Sequence, residues 1–232
     1  MLGMTGAGKS ATGNTILGSD AFKVEFSPES VTQQSERKMT RKGSRFITII
    51  DTPGLQDTTA NINEVKAEIE KCMKISAPGP HVFLLVIRLD VRLTEEVMNT
   101  VQWIQKNFGE DAARHTIIVF THADSLRGRP LKDRIEESSD LRQFVMTCGD
   151  RYHAFNNQDR NNQNQVSELL DKMDELVLKN AGKYYSIKTY YAAQRGLNLF
   201  KTAITVGVVC GLGVVAVAAW KKYEKNNEIS TH

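Results

Sequence analysis

The sequence predicts an α/β fold built on a doubly wound, mostly parallel sheet with helices on both faces. Two observations lead there. Short runs rich in β-branched and apolar residues recur along the chain, each nearly continuous in its apolar character, as in strands buried on both faces. Stretches with helical spacing separate them. The 232 residues are 41% hydrophobic and 25% charged, which fits a packed core and excludes a disordered chain. That length suits one α/β domain plus a short extra segment.

The first element is a glycine-rich turn. Gly3-Met4-Thr5-Gly6-Ala7-Gly8-Lys9-Ser10 matches G-x-x-x-x-G-K-[ST]. Its glycines let backbone N–H groups curl around phosphate oxygens, and the helix that follows adds its positive end. Lys9 is placed to reach the β- and γ-phosphates, and the Ser10 hydroxyl to ligate Mg²⁺. Gly3, Thr5, Gly6, Ala7, Gly8 and Ala11 complete the expected phosphate-binding set. The motif makes the predicted fold that of a P-loop NTPase, but it does not separate GTP from ATP. Such a loop hangs from the C-terminal end of a buried strand. Only Met1 and Leu2 precede Gly3, so the first strand is expected to be missing through truncation.

The strand Phe46–Ile50 leads directly into Asp51-Thr52-Pro53-Gly54, a D-x-x-G motif. Asp51 is expected to approach Mg²⁺ through water, and the Gly54 N–H to contact the γ-phosphate. The segment between the two motifs then holds the first switch. Thr32 is its candidate hydroxyl for Mg²⁺, the alternative being an exposed strand threonine. A helix is expected over Ile62–Ile75, then a strand over Val82–Leu89. The next helix, Thr94–Phe108, carries an apolar stripe at Val97, Val101, Ile104 and Phe108.

The strand Thr116–Thr121 runs into Thr121-His122-Ala123-Asp124, where guanine-binding domains usually carry N-K-x-D. The aspartate accepts two hydrogen bonds from guanine ring nitrogens that adenine cannot donate. Thr121 and His122 depart from the common pattern; with Asp124 both are expected to touch the nucleotide, His122 by packing against the base edge. A weaker strand, Tyr152–Phe155, is followed by Asn156 and Asn157. Either amide suits a base contact and Asn156 is taken for it, with an Asn-rich turn as the alternative. The helix Gln163–Leu178 completes the domain, taken as residues 1–180.

Residues 181–201 read as a polar and aromatic connector. Residues 202–220 carry no charge and lie between Lys201 and Lys221-Lys222, with Trp220 at an interfacial position. At a rise of ~1.5 Å per residue they span roughly 28 Å, close to a hydrocarbon core. A transmembrane tail anchor is expected, with the preceding domain in the cytosol and 221–232 as a polar tail. A buried core helix is the alternative. Cys72, Cys148 and Cys210 are scattered and odd in number, which fits a reducing compartment without disulfides or zinc. A net charge of +3 gives no reason to expect nucleic-acid binding. No signal peptide is expected.

These motifs resemble the immunity-associated GTPases (GIMAP, also called IAN). The resemblance rests on Gly3–Ser10, Asn14–Gly18, Ser30–Thr32, Asp51–Leu55, Gly79–Val86, Arg92–Glu96, Thr121–Asp124 and Ala154–Asn157. It implies GTP/GDP and Mg²⁺ as ligands, and self-association across the nucleotide face. It further suggests that Arg92 reaches the partner's phosphates and acts with Lys9 on transition-state charge. An ordinary surface arginine pairing with Glu95 or Glu96 is the equal alternative. Leu55 stands where a Ras-like enzyme carries the water-orienting Gln, so slow hydrolysis by a monomer is expected. Three readings follow: a membrane-anchored GTPase active as a dimer, a hydrolysis-incompetent scaffold regulated by GTP, or an inactive fragment.

Overall fold

The computed structural model describes residues 1–24, 32, 34–54, 62–91, 104 and 106–196. Helix α1 (Lys9–Leu17) follows the glycine loop, and strands β1 (Glu36–Lys42) and β2 (Arg45–Asp51) form an antiparallel hairpin. Then come α2 (Ile62–Ile75), β3 (Phe83–Arg88), the short α3 (Glu110–Arg114) and β4 (Thr116–Thr121). A 3₁₀ turn over Ala123–Leu126 leads to α4 (Leu131–Glu136), α5 (Ser139–Thr147), β5 (Tyr152–Ala154) and α6 (Gln163–Lys179). Strands β3, β4 and β5 are parallel neighbours in that order.

Residues 1 and 2 stand between the hairpin and the parallel sheet. Leu2 forms a parallel bridge with Leu85, donating to the Leu84 carbonyl at 2.8 Å and accepting from the Val86 N–H at 2.8 Å. On the other side the Met1 nitrogen donates to the Ile50 carbonyl at 2.7 Å. The P-loop therefore departs from a position in line with the sheet, as the motif requires.

Both sheet faces are covered, which is why the strands read as continuous apolar runs. In β3, Leu84 and Val86 pack with Ile16, Ile47, Val119 and Leu169. The alternate residues Leu85 and Ile87 pack with Ile69, Phe120, Phe144 and Tyr185 on the opposite face. The expected strand Thr116–Thr121 and helix Ile62–Ile75 have those bounds in the structure. Strand β1 was not expected. Its sequence, Glu-Arg-Lys-Met-Thr-Arg-Lys, lacks apolar alternation because neither of its faces is buried, and a charged strand that pairs only with β2 among the described residues resists edge-to-edge association. Of the helix expected over Thr94–Phe108, only its last residues are described, with Ile104 and Phe108 buried.

The span read as a connector contributes to the core. Tyr185 and Tyr190 are fully buried; the Tyr185 N–H donates to the Pro80 carbonyl and its hydroxyl to the Phe108 carbonyl. The Tyr190 hydroxyl is buried without a partner among the described residues. Tyr185→Phe is therefore expected to cost about 1 kcal/mol, through loss of a net-stabilising bond and an orphaned carbonyl. Tyr190→Phe is expected to be neutral or stabilising. Urea unfolding of the two variants checks the contrast.

Candidate functional site

The glycine loop closes around its own lysine. The Lys9 ammonium donates to the Gly3 carbonyl at 3.1 Å and to the Met4 carbonyl at 2.9 Å. It is buried, and burial lowers its pKa to about 8, against the raising influence of Asp51. Gly8 precedes α1 with φ 88°, a left-handed conformation that a side chain strains. The open amides of the first helical turn then face the loop. The Ala7 N–H donates to the Met4 carbonyl, Ala7 is buried, and Ala11 sits in the first turn of α1. Gly3, Thr5, Gly6, Ala7, Gly8, Lys9, Ser10 and Ala11 thus lie together.

Three expected metal-binding oxygens, from three separate segments, converge beside this loop. The Ser10 hydroxyl donates to the Asp51 Oδ2 at 2.5 Å and lies 3.2 Å from the Thr32 Oγ1. The Thr32 hydroxyl is itself 3.5 Å from Asp51 Oδ2. Asp51 is brought here because it ends β2, beside the residues that lead into the loop. Its other oxygen, Oδ1, is buried without a partner among the described residues, and so is the Thr5 hydroxyl. One carboxylate, two hydroxyls and an orphaned oxygen fit Mg²⁺, which keeps waters and takes phosphate oxygens rather than an all-protein cage.

Gly54 presses on the P-loop. A Cβ there would stand 2.1 Å from the Thr5 Oγ1 and 2.6 Å from the Thr5 nitrogen, so only glycine permits the approach. The Thr52 hydroxyl donates to the Met1 carbonyl at 2.8 Å and tethers the same turn. Leu55 and Arg92 lie outside the described residues.

The two expected base loops sit side by side: the Ala123 N–H donates to the Phe155 carbonyl at 3.3 Å. Asp124 is exposed within the 3₁₀ turn, available to a ligand. His122 is half-buried in a left-handed conformation, φ 57°, with Nδ1 at 3.2 Å from the Thr121 Oγ1 and 3.7 Å from the Asp90 Oδ1. Asp90 is in turn held by both arms of Arg88. Thr121 is fully buried, and its hydroxyl donates to the Ala7 carbonyl at 2.9 Å. Its side chain thus braces the P-loop from β4 instead of facing a ligand.

Asn156 is likewise occupied: its Oδ1 accepts from the Gln158 N–H, and its main chain bonds twice to the Gln165 side chain. Asn157 is the residue that reaches α1. Its amide donates to the Thr12 hydroxyl at 3.1 Å and accepts from the Thr15 hydroxyl at 3.0 Å. The signal for Gln165 and Asp90 as braces is absent from any local pattern, since each acts on a loop from another element.

A glycine loop clasping a buried lysine at the head of a helix, with a carboxylate delivered by the neighbouring strand, defines a P-loop NTPase. Solved structures share the fold. Toc33 from Arabidopsis thaliana in complex with GDP and Mg²⁺ superposes with a TM-score of 0.56 at 24% identity, over 75% of this chain and 81% of that one. A structure concerning dimerization and the GTPase activity of the chloroplast translocon components atToc33 and psToc159 gives 0.62 at 22% identity, over 75% and 80%. Human GTPase IMAP family member 8 is 39% identical over 188 residues, 80% of this chain and 28% of that protein. The rat protein of the same name is 36% identical over 84% of this chain, which spans 29% of its length. Immune-associated nucleotide-binding protein 3 of Arabidopsis thaliana is 32% identical over 231 residues, 96% of this chain and 69% of that protein. The chain belongs to the AIG1 family, whose sequence profile matches residues 1–203.

Burial of Lys9 sets a pH dependence. Its pKa of about 8 in the folded chain lies below the ordinary 10.5. Between those values the unfolded chain binds more protons, so this residue makes stability rise with pH. Lys9→Met is expected to flatten that rise and to stabilise the ligand-free chain at pH 7. Urea unfolding of both proteins between pH 7 and about 10 checks it; parallel slopes would place the amine in solvent.

Proposed function

We propose that the chain is a membrane-anchored guanine-nucleotide switch that self-associates across its nucleotide face and hydrolyses GTP slowly as a monomer. The convergence of Ser10, Thr32 and Asp51 beside the Lys9 clasp is the observation that carries the nucleotide–Mg²⁺ reading. In this reading the P-loop N–H groups and Lys9 hold the phosphates. Ser10, Thr32 and Asp51 hold Mg²⁺, which offsets the phosphate charge. Asp124 reads guanine, and His122, steadied by Asp90, flanks the base. The GTPase names of the mammalian relatives support the choice of guanine.

Leu55 supplies no hydrogen bond to a water, so the domain alone lacks one catalytic group. Arg92 of a second copy supplies the missing charge in this proposal. The solved neighbour whose description ties dimerization to GTPase activity supports that route. The hydrolysis-incompetent scaffold is the second reading, and Leu55 favours it. Residues 202–220, the proposed membrane anchor, lie outside the described residues; among those described, no helix is long and apolar enough to cross a membrane.

Two outcomes follow. Asp124 is exposed, so Asp124→Ala is expected to leave thermal stability unchanged while weakening GTP binding at least ten-fold, about 1.4 kcal/mol. Unaltered affinity would remove Asp124 from the base site. Turnover of GTP per molecule is expected to rise with protein concentration and to lose that rise in Arg92→Ala. Turnover that is absent at every concentration would favour the scaffold.

A further inference from the structure

A cleft of about 570 Å³ opens at the far end of the sheet from the nucleotide loops. Those loops leave the carboxyl ends of strands, whereas Ile117 and Tyr152, which line this cleft, stand at the amino ends of β4 and β5. Residues of α4, α5 and the last two turns of α6 complete it. The lining holds five cationic and three acidic side chains, a surplus of two positive charges. Two of the acids are paired within the cleft, Glu136 with Lys132 at 3.8 Å and Asp150 with Arg142. That leaves Arg151, Lys172 and Lys179 against one carboxylate, Glu175, and among the described residues none of the three forms an ion pair. Arg151 is the fixed point. Its Nε donates to the Thr116 carbonyl at 2.9 Å and its Nη2 to the Ala113 carbonyl at 2.5 Å, so neutral groups hold the guanidinium. It is half-buried, and burial pushes its pKa down. Its Nη1 has no acceptor among the described residues, and Gly149 leaves room beside it: a Cβ there would stand 2.4 Å from that nitrogen. The Lys172 ammonium donates to the Tyr152 carbonyl at 2.9 Å, which holds a second cation at the residue next to Arg151.

A positioned guanidinium without a counter-charge, flanked by two further cations in a cleft of ligand size, specifies an anion. We infer that this cleft binds a phosphorylated polyol, either free or as the headgroup of a lipid. Arg151 presents Nη1 to a phosphate oxygen, since a guanidinium suits the spacing of phosphate oxygens better than a point charge does. Lys172 and Lys179, one and two turns further along α6 from each other's start, hold the remaining phosphate charge. The three carboxylates oppose a ligand that is phosphate throughout, but they accept hydrogen bonds from hydroxyl groups. A ligand carrying both phosphates and hydroxyls therefore matches the mixed lining. The apolar part of the lining is Ile117, Ile135, Leu176 and the Tyr152 ring, too little to enclose an acyl chain. The site lies apart from the nucleotide site and stands whether or not the nucleotide reading does.

The test is calorimetric titration of the purified 232-residue chain with inositol trisphosphate. Binding is expected, and an excess of GDP with Mg²⁺ is expected not to displace it. The Lys179 ammonium makes no hydrogen bond or ion pair among the described residues, so Lys179→Glu is expected to keep Tm and to weaken the trisphosphate about ten-fold. Tripolyphosphate, which has the phosphates without the hydroxylated ring, is expected to bind about ten-fold more weakly than the trisphosphate. Flotation then separates the two sources, with phosphatidylcholine vesicles that contain or lack phosphatidylinositol bisphosphate. Retention on the bisphosphate vesicles alone, reversed by soluble trisphosphate, makes the ligand a lipid headgroup; titration without such retention makes it the free ester. No binding of the trisphosphate, its displacement by GDP, or unchanged affinity in Lys179→Glu would each overturn the proposal. Equal affinity for tripolyphosphate would also overturn it, by making the cleft a general polyanion surface.

Discussion

The hydrogen bond from the Ser10 hydroxyl to the Asp51 carboxylate ties the head of α1 to the end of β2, and the rest of the site is arranged around it. Asp51 is almost wholly buried, which is costly for a carboxylate unless its oxygens are paired. One oxygen accepts from two hydroxyls, and the other has no partner among the described residues. Close by, Lys9 is buried too, and among the described residues two loop carbonyls accept from it. The fold therefore holds a cation and an anion out of water with their bonding incomplete. Such an arrangement is destabilising in the free chain and favourable once a ligand of the opposite charges arrives.

That stored cost needs a rigid frame, and the parallel sheet supplies it. The loops that matter all leave the carboxyl ends of strands, the general place for ligands in open α/β sheets. Neighbouring elements then brace them. Thr121 holds the P-loop from β4, Gln165 holds the Asn156 turn from α6, and Asn157 fastens that turn to α1. Asp90, just past the end of β3, lies 3.7 Å from His122 Nδ1. Each brace is a side chain reaching across elements, so the positions of the loops are set from outside the loops themselves.

Much of this was legible in the sequence, and the rest was hidden for physical reasons. Strands buried on both faces announce themselves, so β3 and β4 were readable to within a residue or two. The β1 strand was not, because a strand with neither face buried demands no apolar pattern. Thr121 was expected to touch the nucleotide, yet its position at the last residue of a fully buried strand turns its hydroxyl inward onto Ala7. That Asn157 is fastened to α1 could not be read locally, since Thr12 and Thr15, which hold it, lie more than a hundred residues earlier in the chain. Tyr185 and Tyr190 looked like linker aromatics because nothing in their own neighbourhood shows that Pro80 and Phe108 receive them. The closeness of Ser10 and Asp51 was legible because each belongs to a motif of fixed spacing, and Thr32, a candidate hydroxyl from the segment between them, lies beside both.

The central claim is that these three oxygens and the lysine clasp form a guanine-nucleotide site completed by Mg²⁺. Calorimetric titration of the full chain with GTP, GDP and ATP, each with and without Mg²⁺, tests it most directly. The account predicts binding of GTP and GDP that strengthens with Mg²⁺, and no comparable binding of ATP. Equal binding of ATP would contradict the role of Asp124, and binding indifferent to Mg²⁺ would contradict the role of Ser10, Thr32 and Asp51.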